Sequence, residues 1–181
     1  MSLKDKLEIM QRGSISPKDE VVSSVKRIIE KEGYHVYQID DARPWGGFFR
    51  LENSDADRFI REFFPGLDPV EARLGNAAAE LSPKILLVAP GQRLSWQYHD
   101  RRAERWAFLT TGGYHKSLTD DQGDEVIAGP GDIVQFARGE RHRLTGAKDG
   151  YTFVAEIWQH VDPQELSEED DIVRLSDDYK R

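Results

Sequence analysis

The chain has 181 residues, 38% hydrophobic and 32% charged, which is enough for one globular domain with a buried core. It carries no cysteine and a formal net charge of -8, so disulfides, thiolate metal sites and cysteine nucleophiles are excluded, and a nucleic-acid partner is not expected. No apolar run approaches the ~20 residues of a membrane helix, and the start, MSLKDKLEIMQRG, lacks the apolar stretch of a secretory signal; the expectations are no membrane partner and a cytoplasmic location.

Residues 1–15 show no clear period and read as a loose arm. Ser16 and Pro17 read as a helix start, with Ser as N-cap and Pro in the first position. Val21, Val22, Val25, Ile28 and Ile29 then recur at helical spacing until Gly33. A strand is predicted over 34–39. The turn-rich Arg43-Pro44-Trp45-Gly46-Gly47 follows, then a short strand over 48–51. Residues 55–64 read as a short helix stopped by Pro65-Gly66, and 72–81 as a helical turn or a surface loop. From Lys84 the texture changes to short β-rich runs at 85–89, 94–98, 105–111, 114–119, 125–128, 132–136, 142–145 and 151–159, separated by Gly, Pro and Asp. Many short strands at regular spacing predict a sandwich or closed barrel. Residues 163–181 are strongly acidic up to Asp171 and, taken alone, read as a solvated tail.

Gln97 and His99 stand two apart on a predicted strand and face the same way. Glu104 follows a tight turn, and His142 arrives on a later strand after Gly139. Four N and O donors can therefore converge inside a small barrel, and imidazole, carboxylate and amide oxygen suit one divalent ion such as Zn, Fe, Mn, Co or Ni. Gln97 has an alternative role as a hydrogen-bond partner of a substrate or of a metal-bound water. Seven arginines lie within 93–105 and 138–143, the stretches that hold these residues. A local positive field in an acidic protein points to an anionic small molecule; the alternative is pairing with surface carboxylates.

The spacing Gly91, five residues, Gln97-x-His99, four residues, Glu104, seven residues, Gly112, and later Gly131, seven residues, Gly139, two residues, His142, resembles the two motifs of the cupin superfamily. The first motif usually has His where Gln97 stands, and the second usually has Pro where Ala137 stands. A closer resemblance is to the cupin domain of type II mannose-6-phosphate isomerases. It is carried by the run from Gln92 to His99, by Arg102-Ala103-Glu104-Arg105-Trp106, by Arg43-Pro44-Trp45-Gly46, by His142-Arg143-Leu144 and by the stretch from Glu169 to Tyr179. That subgroup also has Gln in place of the first His. The resemblance covers roughly residues 42–181 and makes the acidic tail an ordered terminus.

It implies an all-β cupin jelly roll over 42–181, with residues 1–41 as an arm and helix packed on the barrel. It implies aldose–ketose isomerisation of a phosphorylated sugar with one divalent metal, Zn first among the metals above. The metal ligands are then Gln97, His99, Glu104 and His142. The candidate proton-transfer groups are Glu156 and Lys84, and the candidate phosphate-binding residues are Arg143, Arg102 and Arg93. Homodimers are common among cupins, and an outward-facing Trp96 with Trp158 would cover such a surface. No Gly-rich phosphate loop is present, so nucleotidyl transfer is not expected. Two other readings stay open: a non-catalytic sugar-binding or regulatory cupin, and a metal-dependent cupin oxygenase, which the Gln97 substitution argues against.

Overall fold

A computed structural model describes residues 1–11, 16–162 and 164–179. The chain opens with α1 (Leu3–Gln11) and α2 (Lys18–Lys31), then β1 (Val36–Asp40), β2 (Gly46–Leu51), α3 (Ala56–Phe63) and the single turn α4 (Pro69–Ala72). Eight strands follow: β3 (Lys84–Val88), β4 (Trp96–Tyr98), β5 (Arg102–Phe108), β6 (Gly112–Ser117), β7 (Val126–Ala128), β8 (Ile133–Phe136), β9 (Arg141–Gly146) and β10 (Thr152–His160). A last strand, β11 (Val173–Ser176), closes the chain.

The strand order is β1-β2-β3-β10-β5-β8 in one sheet and β11-β4-β9-β6-β7 in the other, and every pairing is antiparallel. From β3 to β10 the chain crosses between the sheets at each turn except the β6–β7 hairpin. This leaves β3-β10-β5-β8 facing β4-β9-β6-β7, the strand order of a jelly roll. The sheets form a sandwich, one of the two arrangements read from the sequence, and do not close into the barrel that the resemblance implies. β1 with β2 extends one sheet and β11 the other, so these edges are not joined to each other.

Two apolar layers explain why β3 and β10 are buried at every position. On the outer face of the larger sheet, Ile85, Leu87, Ala107, Phe153, Ala155 and Ile157 pack against Leu3 and Leu7 of α1, Val25 and Ile29 of α2, and Phe59 and Phe63 of α3. Between the sheets, Phe48, Leu86, Val88, Trp106, Phe108 and Val154 meet Phe136 and Leu144. With helices on one face and a second sheet on the other, these strands read as continuous apolar runs, and the polar residues that interrupt them stand out.

Several expectations are corrected at the termini. Residues 3–11 form a helix, not a loose arm, because Leu3 and Leu7 sit one turn apart and both are buried; residues 12–15 lie outside the described part. Pro17 is the N-cap of α2, which has no side-chain cap, so Ser16 does not cap it. Between 67 and 82 the only helical turn is α4, whose N-cap Asp68 accepts the Val70 N–H at 2.8 Å. The acidic terminus is ordered through β11, which pairs with β4; Pro163, Lys180 and Arg181 lie outside the described residues. Gly46 has φ +150°, and a Cβ there would lie 1.9 Å from the Leu87 carbonyl oxygen, so the Trp45-Gly46 step admits only glycine.

Candidate metal centre

The pleat that buries Trp106 and Phe108 also turns Arg102 and Glu104 inward, since they lie four and two residues before Trp106 along β5. From the facing sheet, Gln97 on β4 lies directly across from His142 on β9, and His99 follows the end of β4. His99, Glu104 and His142 are buried, and one donor atom of each lies within 4.8 Å of the others.

The tautomers of both histidines follow from their partners. His142 Nδ1 is 2.9 Å from the Glu140 carbonyl oxygen, and His99 Nδ1 is 2.5 Å from that of Asp171. A carbonyl only accepts, so each Nδ1 carries the proton and each Nε2 presents a lone pair. Both lone pairs point at the same carboxylate: His99 Nε2 is 3.0 Å from Glu104 Oε1, and His142 Nε2 is 3.3 Å from Glu104 Oε2. His142 Nε2 and Glu104 Oε2 are buried without a hydrogen-bond partner. Two buried acceptors aimed at each other repel unless a cation lies between them, so these residues fit a divalent ion. Gln97 adds an amide; its Oε1 accepts the Ser95 hydroxyl at 2.5 Å.

Electrostatics keep the set in its ligating form. Burial lowers the His99 pKa, which favours the neutral ring. Burial opposes the charge on Glu104, yet the carboxyl is held well below the usual carboxylate range, and with His99 neutral the Arg102 guanidinium is the cation that holds it there. Arg102 Nε donates to Glu104 Oε1 at 2.8 Å, and its Nη2 lies 3.3 Å from His99 Nε2. Phe136 stacks on the His142 ring at 4.5 Å and Trp106 meets it edge-on at 5.4 Å, which makes that side of the group apolar.

Gln97 and Glu104 also line a cavity of about 600 Å³, counted to its open mouth, together with Arg43, Trp45, Phe48, Lys84, Ser95, Arg102, Glu156, Trp158, Glu169 and Arg174. Glu156 on β10 is flanked in register by Lys84 on β3 and Trp106 on β5. Its carboxylate accepts the indole N–H of Trp106 at 3.0 Å and that of Trp158 at 3.2 Å. Burial, and then the Glu104 carboxylate, raise its pKa to about 7 against the opposing pull of Lys84 and Arg102. Lys84 Nζ lies 3.9 Å from Glu156 Oε2, and burial lowers its pKa.

The two other arginines singled out in the sequence lie elsewhere. Arg143 is next to His142 on β9, so the pleat sends its side chain to the opposite face. It donates to the Leu94 carbonyl at 2.7 Å and lies 3.5 Å from Asp178. Arg93 pairs with the same Asp178. Neither lines the cavity. Trp96 and Trp158 are both buried and cover no outer surface: Trp96 donates to the Asp120 carbonyl, and Trp158 faces the cavity. Sequence reasoning gave Arg43, Arg174 and Glu169 no role, although their segments carry the resemblance. They reach the cavity from the β1–β2 connection, from β11 and from the coil before it, and no local spacing links them to the ligands.

No family model matches the chain. It is 25% identical over 187 residues to mannose-1-phosphate guanylyltransferase of Escherichia coli (strain K12); the likeness takes in 100% of this chain and 32% of that protein, so the chain spans about a third of its relative. Among solved structures it is similar to the capsular polysaccharide assembling protein CapF from Staphylococcus aureus (TM-score 0.49, 12% identity, 77% of this chain and 32% of that one). It is also similar to a cupin 2 conserved barrel domain protein from Salinispora arenicola CNS-205 (TM-score 0.40, 21% identity, 48% and 68%). The fold assignment rests on the chain's own geometry: a jelly-roll strand order with a buried His-Glu-His group between its sheets, the arrangement that the cupin resemblance implies.

Proposed function

We propose that the protein is a metal-dependent aldose–ketose isomerase acting on a phosphorylated sugar of the mannose 6-phosphate type. One observation carries this reading. A single cavity joins two residues of the candidate metal group, Gln97 and Glu104, to a carboxyl with a pKa of about 7, Glu156, and to the cationic side chains of Lys84, Arg102, Arg43 and Arg174. The cupin resemblance and the name of the guanylyltransferase relative, which joins mannose to phosphate, support the substrate class.

Glu156 is the proton-transfer group. A carboxyl that titrates near neutrality accepts a proton and gives it back with little driving force either way, which is what enediol chemistry needs. It takes the proton from C2 of the aldose and returns it to C1, while the O2 hydroxyl proton passes to O1 through the enediol, so the ketose forms with no net gain or loss of atoms. The two indole N–H groups fix the direction of the carboxylate. Arg102, held by Glu104, the Ser167 hydroxyl and the Glu168 carbonyl, is a rigid donor at the cavity wall. A divalent ion at Gln97, His99, Glu104 and His142 supplies Lewis-acid polarisation of the sugar oxygens when bound; zinc is the first choice for this donor set. The test is turnover of mannose 6-phosphate after loading with Zn, Mn or Co, in wild type and Glu156→Gln. Turnover that the variant loses supports the assignment. Tight sugar-phosphate binding with no turnover under any loading replaces it with a non-catalytic binding module.

A further inference from the structure

The cavity holds one ion pair that the proton transfer does not use. Lys84 Nζ donates to Glu169 Oε1 at 2.7 Å. The same Nζ lies 3.4 Å from the ring centroid of Trp158 and 5.1 Å from that of Phe48, and the Arg102 guanidinium lies 3.7 Å from the Trp158 ring. Two buried cations therefore crowd one indole. Among the described residues that line the cavity there are four cationic side chains (Arg43, Lys84, Arg102, Arg174) and three carboxylates (Glu104, Glu156, Glu169). Glu104 belongs to the metal group, and Glu156 is fixed by two indoles. Glu169 differs from both. Its segment has no regular structure and its side chain is 43% exposed, while the neighbouring backbone is held through Glu168 and Asp171. The Glu169 side chain can turn out to solvent without moving the chain that carries it.

We infer that Lys84 forms an anion subsite for a phosphate group, and that the Glu169 carboxylate is its resting occupant, displaced when the ligand enters. The strand that carries Trp158 runs between those of Lys84 and Arg102, so the indole separates the two cations, and the Lys84 ammonium, whose hydrogen-bond acceptor is Glu169, is the one that can take an oxyanion. A phosphate dianion carries more charge than the single carboxylate it replaces. Glu169 then sets specificity: a neutral sugar cannot displace it, and a phosphorylated one can. This deepens the proposed function by giving the substrate's phosphate a place, and it rests on that reading only for the sugar attached.

The experiment is calorimetric titration of inorganic phosphate into the protein at pH 8, with no sugar and no turnover, so an absent isomerase activity leaves the result readable. Glu169→Gln removes the competing charge at an exposed position and is expected to tighten phosphate binding about tenfold. Lys84→Met is expected to weaken it at least tenfold, with Lys84→Arg restoring it. Arg93→Ala, away from the cavity, is expected to bind as wild type does. Unchanged affinity in Glu169→Gln, or loss of binding in Arg93→Ala, overturns the assignment. Glu169→Gln decides the matter even where Lys84→Met does not fold.

Discussion

Asp171→Ala tests how the C-terminal segment holds the candidate metal centre. The Asp171 carboxylate accepts the Asp100 N–H at 2.9 Å, the Arg101 N–H at 3.1 Å and the Ser167 hydroxyl at 2.6 Å, and lies 3.9 Å from Arg102. The same residue's carbonyl takes the His99 Nδ1 proton. Hydrogen bonds to a charged group are worth about 1.5–3 kcal/mol each when buried. Asp100 is exposed and Arg101 half-buried, so their N–H groups recover part of this from water, whereas the Ser167 hydroxyl is buried. The expected loss is therefore about 3 kcal/mol, below the sum of three bonds. For a chain of this length that is a fall in Tm of about 6–12 °C. Burial opposes the charge on Asp171, but hydrogen bonds from Ser167, Asp100 and Arg101 keep its pKa below the ordinary value. Its contribution is thus present above the unfolded Asp pKa and is lost as pH falls through the lower folded one. The gap between wild type and variant is expected to be constant from pH 6 to 8 and to close only below about pH 4. The carbonyl that orients His99 stays in the variant but on a segment that has lost its brace, so divalent-metal affinity is expected to fall by up to about 10-fold, the lower end of the range for losing such a partner outright. Thermal melts followed by circular dichroism and a metal titration read the two effects. A Tm within 2 °C of wild type at neutral pH refutes the view that this segment braces the site.

Further outcomes follow from the same geometry. In wild type, kcat/KM for mannose 6-phosphate is expected to rise with pH through about 7, because Glu156 works as a base only when deprotonated; a flat profile in stopped assays removes Glu156 from that role. Glu156→Gln is expected to lower kcat by about 10²–10⁴-fold with the fold intact. Gly46→Ala is expected to cost 3 kcal/mol or more, at or above the upper end of the ~1–3 kcal/mol range for overpacked cores, since its Cβ meets the Leu87 carbonyl and its φ is +150°; a Tm near wild type contradicts the backbone described. Arg93→Ala, at an exposed pair with Asp178, is expected to change stability by less than about 1 kcal/mol and metal content not at all, as measured by denaturation and elemental analysis.

The eight strands of the jelly roll are legible in the sequence because turn residues punctuate short β-rich runs. The His99, Glu104 and His142 spacing is legible because β4, β5 and β9 are near enough in sequence to carry a motif. Other features depend on partners that sequence does not specify. α1 offers few apolar residues, and its burial becomes visible only against α2 and the sheet. The choice between barrel and sandwich depends on which strands cap the edges. Arg143 and Arg93 look functional because they neighbour ligands in sequence, yet strand alternation and the Asp178 pairing direct them elsewhere. Arg43, Arg174 and Glu169 reach the cavity by topology, so the resemblance marks their segments without giving them a role. Lys84 and Glu156 do leave a trace, as charged residues at the start of the apolar run of β3 and within that of β10.

The central claim is a divalent ion held between the two sheets by His99, Glu104 and His142 with Gln97. Metal content of the purified protein by mass spectrometry, with His142→Ala alongside, tests it most directly. The account predicts close to one divalent ion per chain in wild type and near none in the variant, with both folded. No bound metal in wild type after loading with Zn, Mn, Co, Fe or Ni contradicts it.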